Sequence, residues 1–149
     1  AKGVFFGLTA KHEKQDILRS IMEGVVYSLR DCLEIIEEMG VNVSEVRASG
    51  GGGKSELWRK MQADIFGTDI TTVKSSEGPA LGVALLAGVG TGVYNNINEA
   101  CEAVIKENTR QASDPELYVK YTKFYDIYKR LYNSLKKEFA DLSAMLQSL

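Results

Sequence analysis

Four consecutive glycines followed by a lysine are the part of this sequence best suited to bind an anion. Gly50–Gly53 precede Lys54 and Ser55. Glycine has no Cβ atom, so a glycine-rich backbone adopts left-handed conformations and approaches a ligand closely. A helix that follows such a turn presents unpaired N–H groups and the positive end of its dipole, which together favour phosphate. The run therefore predicts a phosphate-binding turn. The alternative is a flexible linker in a non-enzymatic helical interaction module.

The same residues nearly match the phosphate loop of the P-loop NTPases. Residues 48–55 differ from the pattern G-x-x-x-x-G-K-S/T only at the first position, which is Ala48. The strand predicted before the glycines is short and half polar, whereas P-loop strands are buried and apolar. No later apolar strand ends in an aspartate suited to hold Mg²⁺, and a long helix precedes the turn. We interpret the match as accidental and keep a P-loop nucleotidase as the weaker hypothesis.

Outside the glycine run, few residues have catalytic or metal-binding patterns. His12 is the only histidine and has no nearby ligand cluster, so a capping or surface role is expected. Asp64 is expected to be solvated or to pack, and Trp58 to lie in the core rather than stack on a base. Cys32 and Cys101 have no metal-type spacing with His12, which favours a reduced, cytoplasmic setting. We predict no metal site and no catalytic residue in this chain.

The elements that must position the glycine run alternate between strand and helix. Apolar residues recur at helical spacing, and Gly40 and Gly67 supply left-handed stops. Asp114 and Pro115 together predict the start of a long final helix. The predicted elements are a short strand or buried loop at 4–8, helix 13–39, strand 45–49, a helix after the glycines, strand 70–73, and helices 79–91, 98–107 and 114 onwards. This order indicates an α/β class with a long helical C-terminal extension.

Two predicted helices have unusual composition. The apolar run from Ala80 to Val93 is too short to cross a bilayer and predicts a buried helix. Each interior glycine costs a helix about 1 kcal/mol relative to alanine, so we expect glycines such as Gly82 and Gly88 to allow close approach of another backbone or a ligand. The final helix carries an apolar stripe from Tyr118 to Leu146. We expect the stripe to pack on its own domain, and a homodimer is the alternative.

Length and charge narrow the class of partner. The chain has 149 residues, which is the size of one domain, and a formal net charge of −2. A nucleic-acid surface normally carries a basic excess, so no nucleic-acid partner is expected. We also expect no membrane partner, because no sufficiently long apolar segment is present.

Three sequence blocks together resemble the FGGY family of carbohydrate kinases. Residues 3–8, followed after seven residues by 16–23, are similar to its C-terminal signature. Residues 49–67, SGGGGKSELWRKMQADIFG, resemble its adenine-nucleotide loop and the helix after it. Residues 76–94 resemble its third conserved block. The resemblance covers about Lys2 to Glu107. It is strongest to family members that phosphorylate xylulose, and members that phosphorylate gluconate have similar sequences in the same blocks.

The resemblance implies an actin-like ATPase fold, related to ribonuclease H, with two lobes. Residues 1–149 would be the C-terminal, nucleotide-binding lobe of an ATP-dependent carbohydrate kinase. Such kinases transfer the γ-phosphate of MgATP to a sugar hydroxyl, here D-xylulose to give xylulose 5-phosphate. An N-terminal lobe supplies most sugar contacts and the aspartate that acts as general base. The implied cofactors are ATP and Mg²⁺. Because the chain opens at Ala1 without methionine, we expect a fragment that lacks that lobe and is inactive alone.

The resemblance also implies which residues contact the nucleotide. Gly51, Gly52 and Gly53 would let the backbone run against the ATP phosphates. Lys54 would either add a positive charge near those phosphates or face water. Glu56 stands where many relatives carry an asparagine that touches the nucleoside, which leaves a nucleotide contact at Glu56 open. The expected nucleotide-binding set is therefore these five residues.

Overall fold

The structure, a computed structural model, describes residues 2–74 and 78–148. Ser76 and Glu77, which begin the third resembling block, lie outside the described residues. The elements are α1 (Lys14–Glu38), β1 (Val46–Ala48), α2 (Gly50–Lys54), α3 (Glu56–Phe66), β2 (Ile70–Val73), α4 (Gly78–Gly90), α5 (Ile97–Val104), β3 (Glu107–Gln111) and α6 (Pro115–Gln147).

The three strands form one mixed sheet in the order β1-β2-β3. β1 is parallel to β2, and β2 is antiparallel to β3. β3 was not predicted, because the helix expected over 98–107 ends at Val104 and residues 107–111 have no apolar alternation. Four of the five β3 residues are exposed. The strand forms because its backbone pairs with β2, an interaction between residues distant in sequence that no local pattern reports.

The predicted helix ends are confirmed where a specific residue defines them. Gly40 and Gly67 lie just beyond α1 and α3 with φ of 86° and 71°, in the left-handed region that favours glycine. The Asp114 carboxylate accepts hydrogen bonds from the backbone N–H groups of Glu116 and Leu117, with Pro115 at the first helical position. These signals are local, which is why the sequence alone reveals them.

The apolar core lies where α1, α3 and α6 meet. Its buried members are Val26, Tyr27, Met61, Ile65 and Tyr125, and Trp58 packs at its edge, as predicted. Tyr125 is fully buried, so the expected packing of the α6 stripe on its own domain is confirmed for the first half of the helix. The second half differs. Exposed apolar side chains there are Tyr132, Leu142, Met145 and Leu146.

Arg30 connects the three core helices and was not predicted. Its side chain is buried, and its Nη1 donates to the backbone oxygen of Ile65 and to Oγ1 of Thr122, both at 3.0 Å. Its Nε donates to Glu34 at 3.1 Å, one turn further along α1. A buried charge is tolerated only when it is paired and hydrogen-bonded, and Arg30 meets both conditions.

The hydroxyl of Tyr125 joins α6 to two carboxylates of α1. It lies 2.6 Å from Oδ1 of Asp31 and 3.0 Å from Oε2 of Glu34. Burial on its own would raise the pKa of Glu34. The hydrogen bond from Tyr125 and the positive charges of Lys129 and Arg30 outweigh burial and hold that pKa below its ordinary value. Glu34 is therefore ionised at neutral pH and part of the charge balance between the helices.

Two expectations about burial are wrong. Residues 4–8 form no strand and are not buried: the side chain of Phe6 is 69% exposed. On α4, only Leu85 is buried among the described residues, and Leu86 is 63% exposed. α4 is apolar on all sides and would need cover on all sides, but its neighbour within the described chain is α5. None of the described helices is long and apolar enough to span a membrane.

The two α4 glycines have different surroundings. A Cβ atom on Gly88 would lie 3.0 Å from the ring of Tyr94, so its neighbour is a side chain of the same chain rather than another backbone. Beyond the helix's own backbone, no atom of the described residues lies within 4 Å of the corresponding position on Gly82. Close approach of another backbone or a ligand to these glycines stays a prediction.

Candidate functional site

An open groove of about 400 Å³ lies beside the glycine run. It sits at the carboxyl ends of the parallel strands β1 and β2, the edge at which open α/β sheets commonly bind ligands. β3 contributes the adjoining wall. The lining residues are Ala48, Ser49, Gly50, Gly53, Lys54, Arg59, Thr72, Val73, Lys74, Asn108 and Thr109.

The glycine run is a helical turn rather than the open loop expected from sequence. Of its four glycines only Gly50 has a positive φ, 68°, and the next residues form the single turn α2. The sequence predicted one helix after the glycines, whereas Ser55, with an extended backbone, separates α2 from α3. Ser55 Oγ accepts a hydrogen bond from the backbone N–H of Trp58 at 3.3 Å. The start of α3 is thus capped at one backbone N–H by its own chain, and its contact with phosphate stays a prediction.

Gly53 is the one buried glycine of the run. A Cβ atom there would lie 2.9 Å from the backbone oxygen of Ala48, closer than real side chains come. Its own backbone oxygen accepts a hydrogen bond of 2.7 Å from Nη1 of Arg59. Only glycine fits between the end of β1 and α2 without a shift of the backbone, so the shape of the turn depends on residue 53.

Of the five residues expected to bind the nucleotide, two line the groove. Gly53 and Lys54 line the groove. Gly51, Gly52 and Glu56 are exposed and do not line it. A Cβ atom on Gly52 would instead meet Nε1 of the Trp58 ring at 3.0 Å. A nucleotide contact at these last three residues remains a prediction.

The described residues that line the groove include three cations and no acidic residue. The cations are Lys54, Arg59 and Lys74. This charge distribution attracts an anion, and phosphate oxygens would find both positive side chains and a closely approaching backbone. Sequence reasoning missed Arg59, Lys74 and Asn108. Lys74 could have been predicted, because parallel strands over 45–49 and 70–73 would place their carboxyl ends side by side.

Two further residues behave as expected, and neither forms a catalytic cluster. His12 is exposed, and its Nδ1 accepts a hydrogen bond from the backbone N–H of Thr9 at 2.9 Å, a local role at the surface. Asp64 is buried and packs: its Oδ1 accepts from Lys60 at 2.7 Å and from the backbone N–H of Asp114 at 3.0 Å. Across 2–74 and 78–148, no group of three or more His, Cys, Asp or Glu side chains could hold a metal.

Comparison with known proteins identifies relatives along most of the chain. Residues 1–91 match the FGGY family of carbohydrate kinases, C-terminal domain. The chain is 36% identical over 141 residues to a xylulose kinase of Staphylococcus epidermidis, covering 95% of this chain and 28% of that protein. It is 35% identical over 147 residues to a xylulose kinase of Bacillus subtilis, covering 99% and 29%. A Bacillus licheniformis gluconokinase is 32% identical over 148 residues, covering 99% and 29%.

Solved structures share the same fold. A ligand-bound xylulose kinase of Lactobacillus acidophilus superposes with a TM-score of 0.88 at 25% identity, covering 95% of this chain and 29% of that one. A gluconate kinase of the same organism gives 0.87 at 26% identity, with the same two coverages. The fold is therefore that of the sugar kinases of the actin-like ATPase class, as the resemblance implied.

The chain belongs to the FGGY family of carbohydrate kinases and matches its C-terminal domain. It spans less than a third of the length of the curated relatives it matches, 28% and 29% for the two xylulose kinases. Family membership excludes the P-loop nucleotidase and the helical interaction module as alternatives.

Proposed function

We propose that the groove beside α2 binds the phosphates of ATP or ADP, and that residues 1–149 are the nucleotide-binding lobe of a kinase that phosphorylates a sugar. The observation that carries the proposal is the position of Gly53. It brings the backbone into close contact at the carboxyl ends of two parallel strands, beside Lys54, Arg59 and Lys74. A polyphosphate is the common cellular ligand whose charge matches three clustered cations.

The groove fits the phosphates of a nucleotide but not a magnesium site. Mg²⁺ prefers carboxylate and other oxygen ligands, and no Asp or Glu is among the residues within 2–74 and 78–148 that line the groove. The ion would therefore be held by phosphate oxygens and by groups outside this groove. When bound, Mg²⁺ neutralises charge on the transferring phosphate. The residues of this chain position and attract the nucleotide.

The sugar we favour is D-xylulose, with gluconate as the second candidate. Support comes from two relatives, 36% and 35% identical over 141 and 147 residues, which are named xylulose kinases, while one that is 32% identical over 148 residues is named a gluconokinase. Among the lining residues that the structure describes, none carries a carboxylate or imidazole that could accept a proton from a sugar hydroxyl. We therefore propose that a base and most sugar contacts belong to another lobe, and that this chain alone does not transfer phosphate.

Isothermal titration calorimetry of the 149-residue chain with ADP tests the nucleotide site. We expect binding with Kd on the order of 100 µM, since one wall of an interlobe cleft is absent. The matched probe is adenosine, which lacks phosphates and should bind at least tenfold more weakly if the groove recognises phosphate. Absence of any ADP-dependent heat at millimolar concentration, or equal affinity for adenosine, would refute the proposed site.

A coupled assay with ATP tests the catalytic part of the proposal. We expect ADP release by the chain to be the same with and without D-xylulose or gluconate, because none of the described groove residues can act as a general base. Turnover that depends on either sugar would show that the chain is catalytically complete and would overturn this part of the proposal.

A further inference from the structure

The side chain of Arg59 donates a hydrogen bond to the backbone of the glycine turn. Its Nη1 donates to the backbone oxygen of Gly53 at 2.7 Å, a short charge-assisted hydrogen bond. Gly53 is at the same time held against the backbone oxygen of Ala48. The turn is therefore fixed from two sides, by β1 below and by Arg59 from α3.

The other donors of Arg59 do not account for its orientation. Its Nε is buried and has no hydrogen-bond acceptor among the described residues. An unpaired buried donor calls for an explanation, and the contact with the Gly53 carbonyl supplies one, because it fixes the direction of the guanidinium.

We propose that Arg59 is a positioning residue for nucleotide binding: by holding the Gly53 carbonyl it keeps the glycine turn in the shape that receives a nucleoside diphosphate. This inference rests on the proposed function of the groove. The four glycines gain no rigidity from side chains of their own, so a contact from the neighbouring helix is needed to fix them before the ligand arrives. Lys54 and Lys74 line the same groove and supply long-range charge, while Arg59 acts through the backbone.

The test measures ADP affinity of the intact chain by calorimetry in Arg59→Gln, Arg59→Lys and the control Arg47→Gln. Arg47 lies on β1, is exposed and does not line the groove, so its replacement removes the same charge at a neighbouring position. We expect Arg59→Gln to raise Kd about tenfold, the loss of one charge-assisted hydrogen bond. Arg59→Lys, which can still donate to the carbonyl, should recover at least half of that loss on a logarithmic scale, and Arg47→Gln should stay within twofold.

Ionic strength separates positioning from simple attraction. If Arg59 acts through the turn, the ratio of Kd between Arg59→Gln and the parent chain should be the same in 50 and 300 mM salt. A ratio that falls towards one at high salt would mean that only its charge matters and would overturn the proposal. If Arg59→Gln fails to fold, Arg59→Lys decides: a Kd within about threefold of the parent supports the proposal, and a loss of tenfold or more refutes it.

The two proposals fail in different ways. If the parent chain binds no ADP, the proposed function is wrong and the role of Arg59 falls with it. If the parent binds ADP and Arg59→Gln, shown to be folded by its urea unfolding curve, binds equally well, only the role of Arg59 is wrong.

Discussion

The guanidinium of Arg30 lies over the ring of Tyr125, with Cζ 4.3 Å from the ring centroid. Both side chains are buried, and the contact joins α1 to α6 at the centre of the core. A cation in this position gains from the ring quadrupole because water is excluded. The stability of the domain should therefore depend on this arginine more than on its exposed counterparts.

Arg30→Met should lower the free energy of unfolding by about 2–4 kcal/mol, because it removes the buried donor to the Ile65 carbonyl and the positive charge paired with the Glu34 carboxylate. Urea unfolding followed by circular dichroism measures this. The control is Arg19→Met on the same helix, whose side chain is 52% exposed and pairs with Glu23, for which less than about 1 kcal/mol is expected. Equal losses in the two variants would contradict a structural role for Arg30.

Gly67→Ala should destabilise the chain by about 2–4 kcal/mol. Gly67 has a positive φ, and an added Cβ would lie 2.7 Å from the Tyr118 ring. Gly40→Ala separates the two effects, since Gly40 also has a positive φ but no neighbouring atom within 4 Å. The cost for Gly40→Ala should be only about 1–2 kcal/mol, the backbone part alone. Identical urea midpoints for the two variants would rule out the contact with Tyr118.

Gly53→Ala should weaken ADP binding at least tenfold, since the added methyl group pushes α2 away from the Ala48 carbonyl and distorts the groove. Gly24→Ala on α1 is the matched control: no atom lies within 4 Å of its added Cβ, and α1 does not line the groove. That variant should bind ADP normally and be slightly more stable, by about 0.4–1 kcal/mol. Calorimetry with both variants checks the prediction, which fails if Gly53→Ala keeps the parent affinity.

Stability should fall as the pH rises above 10. Burial, the main cause, raises the pKa of Tyr27, Tyr125 and Tyr128 above the ordinary value of 10.0, and Asp31 and Glu34 add to the effect at Tyr125. The unfolded chain then releases tyrosine protons that the folded chain keeps, so the stabilisation is complete below pH 10 and is lost above it.

Urea unfolding at pH 9, 10 and 11 measures this loss, which is at most about 1.4 kcal/mol per tyrosine for each pH unit. Tyr125→Phe should make the alkaline decline less steep, whereas Tyr132→Phe removes an exposed hydroxyl and serves as the control. A decline that is as steep in Tyr125→Phe as in the parent chain would assign the effect to other groups.

The sequence predicts most of the fold that positions the site, because the relevant signals are local. Amphipathic spacing gives α1 and α3, and Gly40, Gly67 and Asp114 define helix ends within one or two residues. β3 escapes prediction because it is polar and forms only by pairing with β2. The apolar α4 was wrongly predicted to be buried. Its composition indicates that its side chains need to pack against something, but not whether this chain provides the packing surface.

The sequence predicts where the candidate site lies but not all of the residues that line it. The glycine run identifies one wall of the groove, which Gly53 and Lys54 line, and their contact with a nucleotide stays a prediction. Asn108 belongs to β3, which was not predicted, so its presence in the site depends on the pairing of β3 with β2. The contact between Arg59 and Gly53 depends on the break at Ser55, which turns α3 so that its arginine reaches back to α2. A single helix, as predicted, would not suggest that contact.

Trp58 is the only tryptophan in the chain, and its indole borders Gly52 in the glycine turn. The intrinsic fluorescence of the protein therefore originates beside the proposed phosphate site, and any movement of the turn changes the polarity around a single emitter. The molecule carries its own optical reporter, so occupancy of the groove can be followed in real time by stopped-flow emission, without a dye, a tag or an engineered residue.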